Sequence, residues 1–404
     1  MVNIFPTKVK FVTFLLLLIL FSSMAHTAYG DDSNVPMIVN PNFNAKNLPF
    51  EIRQWHDRLC SGLKNDKNKI YYTNLARSNN VYNYGRQLNT YITSLLNVMR
   101  VTGDPLLMHE VDRLSQIMRS QLNDKSILDL KNNIYAKDGF LNWQYRRDNI
   151  YYGSDLHEMD EMLTHSLVAA IAYAYHVNAD VDNNYKERAI FWLNYLTNHF
   201  EKKWRIRKNN PNTFPFLEKN LTHVYTQWIR YNFYMAKLTG KNNYLDEALR
   251  MSAIIHQHIF GATSITGRPV TWDHGMPILG TPTHGAQPLQ YARYTVQAAA
   301  DLAMEGFAFF GEPGYMKKLA LIVRYFVIAD ETGRSFPYRI DGTDLGRETP
   351  SRFAISPWAM LGRWDPSGEI VMTSEKVYKL TESSLDNPLN IYIPAGIVFS
   401  LTKY

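Results

Sequence analysis

Cysteine is almost absent from this chain, and so are the features of a multidomain protein. Cys60 is the single cysteine among 404 residues, so an intramolecular disulfide is excluded and packing must hold the fold together. No long Pro-, Gly- or Ser-rich linker interrupts the sequence, while hydrophobic residues make up 46% of it, enough for a large core. These properties favour one large domain.

Long apolar runs are also scarce, and the one near the start has the pattern of a secretory signal. Lys8 and Lys10 precede the apolar run 11–21, and small residues follow it. The run is too short to span a bilayer comfortably, and no cysteine follows it as a lipoprotein would require. We therefore expect 1–30 to be a signal peptide and 31–404 to be a single exported domain, periplasmic or secreted, without stable membrane insertion.

Recognisable cofactor and nucleic-acid motifs are missing as well. The formal net charge is +6, and loss of the two leader lysines leaves +4, which suits an anionic partner. The basic residues are scattered among aromatic ones, so a nucleic acid is not the expected partner. His256 and His258 lack a third ligand at metal spacing, and neither a metal nor another cofactor is expected. The 26 tyrosines exceed what a core needs and are typical of sugar-binding clefts.

What the chain does have is a repeated pair of amphipathic helices joined by a short link. In the link 102–105, glycine suits the end of one helix, aspartate caps the next helix and proline occupies its first turn. Similar links lie at 239–243 and 311–314, and one without glycine lies near 178–180. The predicted pairs span 82–122, 157–204, 223–259 and 287–329, with a further helix at 48–63 and a closing helix at 388–404.

Helix pairs with short links pack as antiparallel neighbours and can close into a ring. The sequence therefore predicts an all-α fold, an (α/α) toroid or incomplete barrel of about five to seven helix pairs. The long connections between pairs then share one face, where function is expected. These connections are 123–156, 205–222, 260–286 and 330–385. Within the last of them, the alternating, turn-rich segment 335–375 indicates a few short strands near the C-terminus.

Residues of complementary chemistry stand at one distance from the link glycines. Seventeen residues before Gly103, Gly240 and Gly311, about 1.5 Å of rise per residue gives a height of about 25 Å above the links, near the mouth of the ring. The residues at this position are Arg86, His223 and Tyr294, and those one turn nearer the mouth are Asn83, Asn220 and Tyr291. The second pair has Met162 there and adds no support.

A cation, an imidazole and a phenol fit the β-elimination of a uronic-acid polymer. The reaction needs a positive or donor group on the sugar carboxylate, a base for the proton beside it and an acid for the departing oxygen. We expect Arg86, with Asn83 or Asn220, to neutralise the carboxylate. His223 would act as the base or as a second neutralising group.

The proton donor in this scheme is a tyrosine. Tyr294 would donate the proton, its phenol made more acidic by Arg86 or Arg293, and Tyr291 competes with it for the role. Further substrate contacts are expected from Gln227, Trp143, Arg146, Arg147, Arg268, His274, His284 and Glu158.

Repeated helix pairs with aromatic, Arg- and His-bearing loops on one side resemble the α/α-toroid polysaccharide lyases, above all the alginate-lyase-like group. The resemblance covers most of residues 48–404 and implies a monomer acting on an alginate- or glucuronan-like polymer. In such lyases a tyrosine is the acid and often the base, and His, Asn, Gln or Arg neutralises the carboxylate. His223 after Asn220, and Tyr294 with Tyr291, are the matching residue types here.

Two other classes remain open. A glycoside hydrolase on the same toroid would need two carboxylates roughly 5 to 10 Å apart around the bond. The acidic residues available for that role are Asp155, Glu158, Asp160, Glu161 and Asp273. A non-catalytic polysaccharide-binding protein would use the same aromatic mouth without turnover.

Overall fold

The computed structural model of the chain is almost entirely helical, which confirms the predicted all-α class. The structure describes residues 35–123, 139–144, 146–147, 150–151, 158–207, 217, 220–260, 272–276, 285–327, 336–344, 356–381 and 389–403. The predicted signal peptide lies outside these ranges. Within them, no helix is both long enough and apolar enough to cross a membrane.

The helices follow one another with few other elements between them. In the first half they are α1 (Phe50–Lys64), α2 (Asp66–Arg77), α3 (Val81–Asn83, Tyr84–Leu88 and Asn89–Thr102), α4 (Pro105–Ser120), α5 (Glu158–Val177) and α6 (Asn183–Tyr195, continued by Leu196–Glu201 and Lys202–Arg207). In the second half they are α7 (Thr222–Thr239), α8 (Asn242–Phe260), α9 (Leu289–Met304), α10 (Pro313–Ile322, continued by Val323–Val327), α11 (Glu369–Thr381) and α12 (Leu389–Leu401). Short 3₁₀ segments lie at Ala45–Asn47, Ala308–Gly311 and Ser356–Trp364.

Local turn chemistry explains two of the predicted links. Gly103 ends α3 in the left-handed region with φ 73°, and the Oδ1 atom of Asp104 accepts the Leu106 N–H at 2.9 Å to cap α4. Pro105 occupies the first turn of α4, where its missing N–H is not needed. Gly240 ends α7 in the same left-handed conformation, with φ 66°. Both links are confirmed.

The fourth predicted link is wrong in its details. Helix α9 ends at Met304, and the left-handed glycine after it is Gly306, with φ 63°. Gly311 instead ends a 3₁₀ segment, and a Cβ there would lie 2.7 Å from the carbonyl carbon of Gly306. Glycine is needed at position 311 because two backbone segments approach closely there, and it does not mark the end of an α-helix. Equal offsets from Gly311 and Gly240 therefore do not mark equal heights.

The short strands expected within 335–375 are also a wrong prediction for the described part of that segment. It contains the 3₁₀ segment Ser356–Trp364, the beginning of α11 and one isolated bridge between Arg339 and Pro288. The described residues contain two strands, β1 (Arg146–Arg147) and β2 (Ile150–Tyr151), which pair antiparallel in the long connection before α5.

The contacts between several elements form a closed succession that returns to its first helix. The sequence of contacting segments is α3, α5, α7, α9, the 3₁₀ segment Ser356–Trp364, α12 and α3 again. Helices α5, α7, α9 and α12 and the Asn89–Thr102 part of α3 are buried along nearly all of their described length, whereas α1, α4 and α8 each expose one face. The first group therefore forms an inner layer, and α4, α6 and α8 pack outside the inner helices that precede them.

A buried ionic network joins α3, α7 and α9. Arg100 of α3 donates to Asp301 at 2.7 Å and to Glu305 at 2.5 Å, both at the end of α9. Arg230 of α7 donates from Nε to the other oxygen of Asp301 at 2.6 Å. All four side chains are shielded from solvent, so each charge depends on its partners inside the protein.

Candidate active site

A π-helical turn in α3 places Arg86 at one side of the site. Within Tyr84–Leu88 the backbone bonds reach five residues back, as from Asn89 N–H to the Tyr84 carbonyl. Gly85 permits this turn to lie against α5, because a Cβ there would stand 2.8 Å from the Asp160 carbonyl oxygen. The Arg86 Nε atom then donates to Asp160 Oδ1 at 2.9 Å. Burial lowers the pKa of Arg86, but Asp160 together with the neighbouring tyrosines outweighs burial and the pKa is raised, so the guanidinium stays charged.

The same turn holds Tyr294 through a backbone carbonyl. The Arg86 carbonyl oxygen accepts the Tyr294 hydroxyl at 3.2 Å and Arg293 Nη2 at 3.3 Å. Arg293 Nη2 also donates to the Tyr294 hydroxyl oxygen at 2.6 Å. Burial raises the pKa of Tyr294 despite the opposing effect of Arg293 and Arg86, so the expectation of a more acidic phenol is wrong.

His223, in the first turn of α7, takes its orientation from Gln287. Trp272 Nε1 donates to Gln287 Oε1 at 2.7 Å, and because an indole only donates, the amide nitrogen of Gln287 must face the other way. That nitrogen lies 3.3 Å from His223 Nδ1 and 3.5 Å from His274 Nδ1. Both Nδ1 atoms are therefore acceptors, and both neutral imidazoles carry their proton on Nε2.

The proton of His223 points at an unusual acceptor. His223 Nε2 lies 3.1 Å from the sulfur of Met159, and Arg86 Nη2 lies 3.9 Å from the same sulfur. A thioether is a weak acceptor for two such donors. Burial, His274 and Arg86 hold the pKa of His223 well below its usual value, so the ring is neutral near pH 7.

Tyr291 and His274 form the side of this cluster that solvent reaches. The Tyr291 ring centroid lies 5.1 Å from those of both His223 and His274, and the Arg86 guanidinium stands 5.5 Å from it. Tyr291, His274 and Arg86 are half-buried, whereas His223 is 0% and Tyr294 1% exposed. Tyr291 is thus the accessible phenol, and Tyr294 lies beneath it.

Backbone hydrogen bonds fix the loop segment that carries His274. The Thr222 N–H donates to the His274 carbonyl at 3.0 Å, and the His274 N–H donates to the Gly285 carbonyl at 2.8 Å. Asn220 joins the same arrangement with a left-handed φ of 51° and a carbonyl that accepts the Met276 N–H at 2.6 Å. The segment 272–276 is therefore tied to the beginning of α7.

The structure brings together the four predicted catalytic residues, but not every predicted contact residue. The substrate contact expected of Trp143 is wrong. Its side chain is 0% exposed and donates from Nε1 to the Met118 carbonyl at 2.9 Å, so it belongs to the core. Gln227 is also buried and donates to the Tyr294 carbonyl at 2.9 Å, which supports the site from below. Asn83 is half-buried, three residues before Arg86.

Five predicted substrate-contact residues have side chains outside the described part of the structure. Arg146 and Arg147 form strand β1 and Glu158 begins α5, but their side chains lie outside the described part. Arg268 and His284 lie outside the described residues altogether.

Sequence reasoning missed two residues that contact the predicted catalytic residues, Met159 and Gln287, and it considered Asp160 only as a hydrolase carboxylate. Met159 and Asp160 come from α5, whose helix pair adds no support in the sequence because of Met162. The acidic residues that begin at Glu158 are the sequence signal near Asp160. No sequence signal links Gln287 to His223, because the two are 64 residues apart.

Two of the carboxylates considered for a hydrolase pair, Asp160 and Glu161, have cationic partners in the described part of the chain. Asp160 and Glu161 are both 0% exposed, the first paired with Arg86 and the second 3.4 Å from Lys203 Nζ. Asp273 is half-buried beside His274. Asp155, another candidate for a hydrolase pair, lies outside the described residues. Comparison with family models, curated proteins and solved structures finds no match to this chain.

Proposed function

We propose that this protein is a polysaccharide lyase that cleaves a uronic-acid-containing polymer, alginate- or glucuronan-like, by β-elimination. The observation that carries the proposal is the convergence of His223 Nε2 and Arg86 Nη2 on the sulfur of Met159. One N–H donor and one cationic donor aimed at a single point suit a carboxylate oxygen far better than a thioether.

The proposed binding step exchanges Met159 for the substrate carboxylate. Methionine is unbranched and adapts its conformation readily, so its side chain can leave the space between the two donors. Arg86, held by Asp160, and His223, held by Gln287, would then stabilise the negative charge that develops as the neighbouring proton is removed.

The proposed acid is Tyr291, the accessible phenol of the cluster. It stacks on His223 with ring centroids 5.1 Å apart, so it stands beside the proposed carboxylate position. Its phenolate oxygen would take the proton beside the carboxylate and pass that proton to the departing glycosidic oxygen, so Tyr291 acts as both base and acid and returns to its starting state. Tyr294 and Arg293 support the turn that carries Arg86. We also propose that the closed succession of inner helices forms the predicted incomplete (α/α) toroid, with this site at its mouth.

The test of the activity uses the purified full chain with alginate, glucuronan and hyaluronan. Elimination gives a conjugated, unsaturated uronate, and the expected result is a rise in its ultraviolet absorbance with at least one polymer. New reducing ends without that absorbance would indicate the hydrolase, and binding without either product would indicate a sugar-binding protein. Either result contradicts the lyase proposal.

The roles of the residues are tested by comparing two tyrosine variants and one histidine variant of the proposed site with a tyrosine variant on the surface. Tyr291→Phe keeps the ring but removes the proton donor, and we expect kcat to fall about a hundredfold or more. His223→Ala should lower kcat by a similar factor, because it removes a donor that stabilises the charge developing on the substrate carboxylate. Tyr325→Phe, on an exposed side chain of α10, should leave the rate unchanged. Near-normal rates in Tyr291→Phe, with loss in Tyr294→Phe, would move the acid role to the buried phenol.

A further inference from the structure

Far from the proposed active site in sequence, three metal-ligating side chains meet where α1 packs against the link between α3 and α4. His56 Nε2 lies 2.8 Å from Asp104 Oδ2, and Cys60 Sγ lies 3.7 Å from His56 Nδ1 and 3.9 Å from Nε2. One ligand atom from each residue falls within 4.8 Å of the other two. This is the one such group among the described residues.

The fold explains how these residues come together. His56 and Cys60 are four residues apart on α1, so they share one helix face. Asp104 is the N-cap residue of α4. Its Oδ1 atom accepts the Leu106 N–H, and its Oδ2 atom faces His56. Phe43 packs on the His56 ring with centroids 5.5 Å apart. Two of the three side chains are thus held in place by contacts outside the cluster.

We infer that His56, Cys60 and Asp104 form a binding site for a divalent transition metal of the zinc type. Metal–ligand distances of 2.0–2.3 Å in a tetrahedral zinc site imply ligand atoms about 3.3–3.8 Å apart. The sulfur already stands near this distance, and the His56–Asp104 contact needs to open by about 0.5 Å. Nitrogen, thiolate and carboxylate ligands favour zinc or its neighbours over magnesium and calcium.

Burial indicates which coordination position stays open. His56 is 2% and Asp104 4% exposed, whereas Cys60 is half-buried and faces the surface. Three protein ligands with solvent on the cysteine side leave a fourth position for water or an external ligand. The site is separate from the proposed lyase chemistry, so neither proposal depends on the other.

The competing explanation is an ion pair without metal. Burial opposes protonation of His56, but its hydrogen bonds to Asp104 and Cys60, together with their electrostatic attraction, outweigh burial and raise its pKa to about 9. A protonated His56 beside Asp104 satisfies both buried groups, and Cys60 would then add only a sulfur contact to the His56 ring. Metal binding therefore has to be measured directly.

The experiment titrates the reduced, metal-free full chain with Co²⁺ and then displaces it with Zn²⁺. Because Cys60 is the single cysteine, a thiolate-to-cobalt charge-transfer band reports this site alone. We expect the band to saturate at one equivalent and to disappear in Cys60→Ser. Asp104→Asn keeps a side chain that caps helices equally well, and we expect it to weaken cobalt binding about tenfold or more.

His176→Gln, which removes an exposed histidine on α5, is the control for adventitious binding and should not change the affinity. Circular dichroism shows whether each variant retains its helices. The inference is overturned if no band develops at one equivalent, or if folded Asp104→Asn binds cobalt as tightly as the unaltered protein. Both outcomes would leave the ion pair as the explanation of the cluster.

Discussion

A single buried glutamine sets the chemical state of the histidines at the proposed site. Gln287 accepts from Trp272 and Thr295 on its oxygen, which leaves its nitrogen to donate to His223 and His274. The sequence predicted His223 as a functional residue from its position in a helix. It did not predict the tautomer, because that depends on a side chain brought near by tertiary packing.

Burial of neutral His223 predicts a loss of stability in acid. Its folded-state pKa is held well below the unfolded value of about 6.5, so below that pH the unfolded chain takes up a proton that the folded one refuses. The contribution is complete above about pH 6.5 and falls by up to about 1.4 kcal/mol per pH unit below it. Denaturant unfolding from neutral to mildly acidic pH should show a shallower decline in His223→Gln than in the unaltered protein.

The control for this measurement is His176→Gln, which removes a solvent-exposed histidine. It should reproduce the pH dependence of the unaltered protein. If His223→Gln also reproduces it, His223 does not remain neutral in the folded protein.

At the scale of elements, signals contained in a few neighbouring residues were predicted well. The link around Gly103 and Asp104 was read correctly, because a left-handed end and a cap are decided within one turn. The prediction at Gly311 is wrong because glycine is needed there for the close approach to the Gly306 backbone. Both a helix end and a close backbone approach favour glycine, so the sequence does not distinguish them. The π-helical turn at Tyr84–Leu88 was not predicted, since no local pattern distinguishes it from ordinary helix.

The tight contact of that turn with α5 predicts that Gly85→Ala is destabilising. The added methyl would stand 2.8 Å from the Asp160 carbonyl oxygen and 3.0 Å from Leu163 Cβ, so the two helices must move apart. We expect the free energy of unfolding to fall by about 1–3 kcal/mol, measured by denaturant titration.

Gly314→Ala is the matched control within another helix. A Cβ there meets nothing within 4 Å, and we expect stability to be unchanged or to rise by up to about 1 kcal/mol. Equal effects at the two positions would show that helix propensity, and not the contact with α5, decides the outcome.

At the scale of the whole molecule, the inner helices are joined by charge as well as by apolar contact. Arg100 and Arg230 share Asp301, which links α3, α7 and α9 although these helices are far apart in the sequence. The sequence indicated a ring from its repeated pairs, but it gave no sign of this network. Each of its members reads, by itself, as an ordinary polar residue within a helix.

Removal of the shared carboxylate predicts a large loss of stability. Asp301→Asn leaves two buried guanidinium groups with less negative charge to balance them, and we expect a cost of about 3–5 kcal/mol in denaturant unfolding. Glu187→Gln, in an exposed pair with Arg119 at 3.5 Å, should cost less than about 1 kcal/mol. A loss at Asp301 no larger than at Glu187 would contradict a structural role for the network.

The π-helical turn also sets the rotational phase of α3. Arg86, within the turn, pairs with Asp160, and Arg100, beyond the turn, pairs with Asp301 and Glu305. Deleting one residue between them would rotate one end of the helix against the other by about 100°. One of the two guanidinium groups would then lose its carboxylate partners, so the length of this short stretch is as constrained as the identity of its residues.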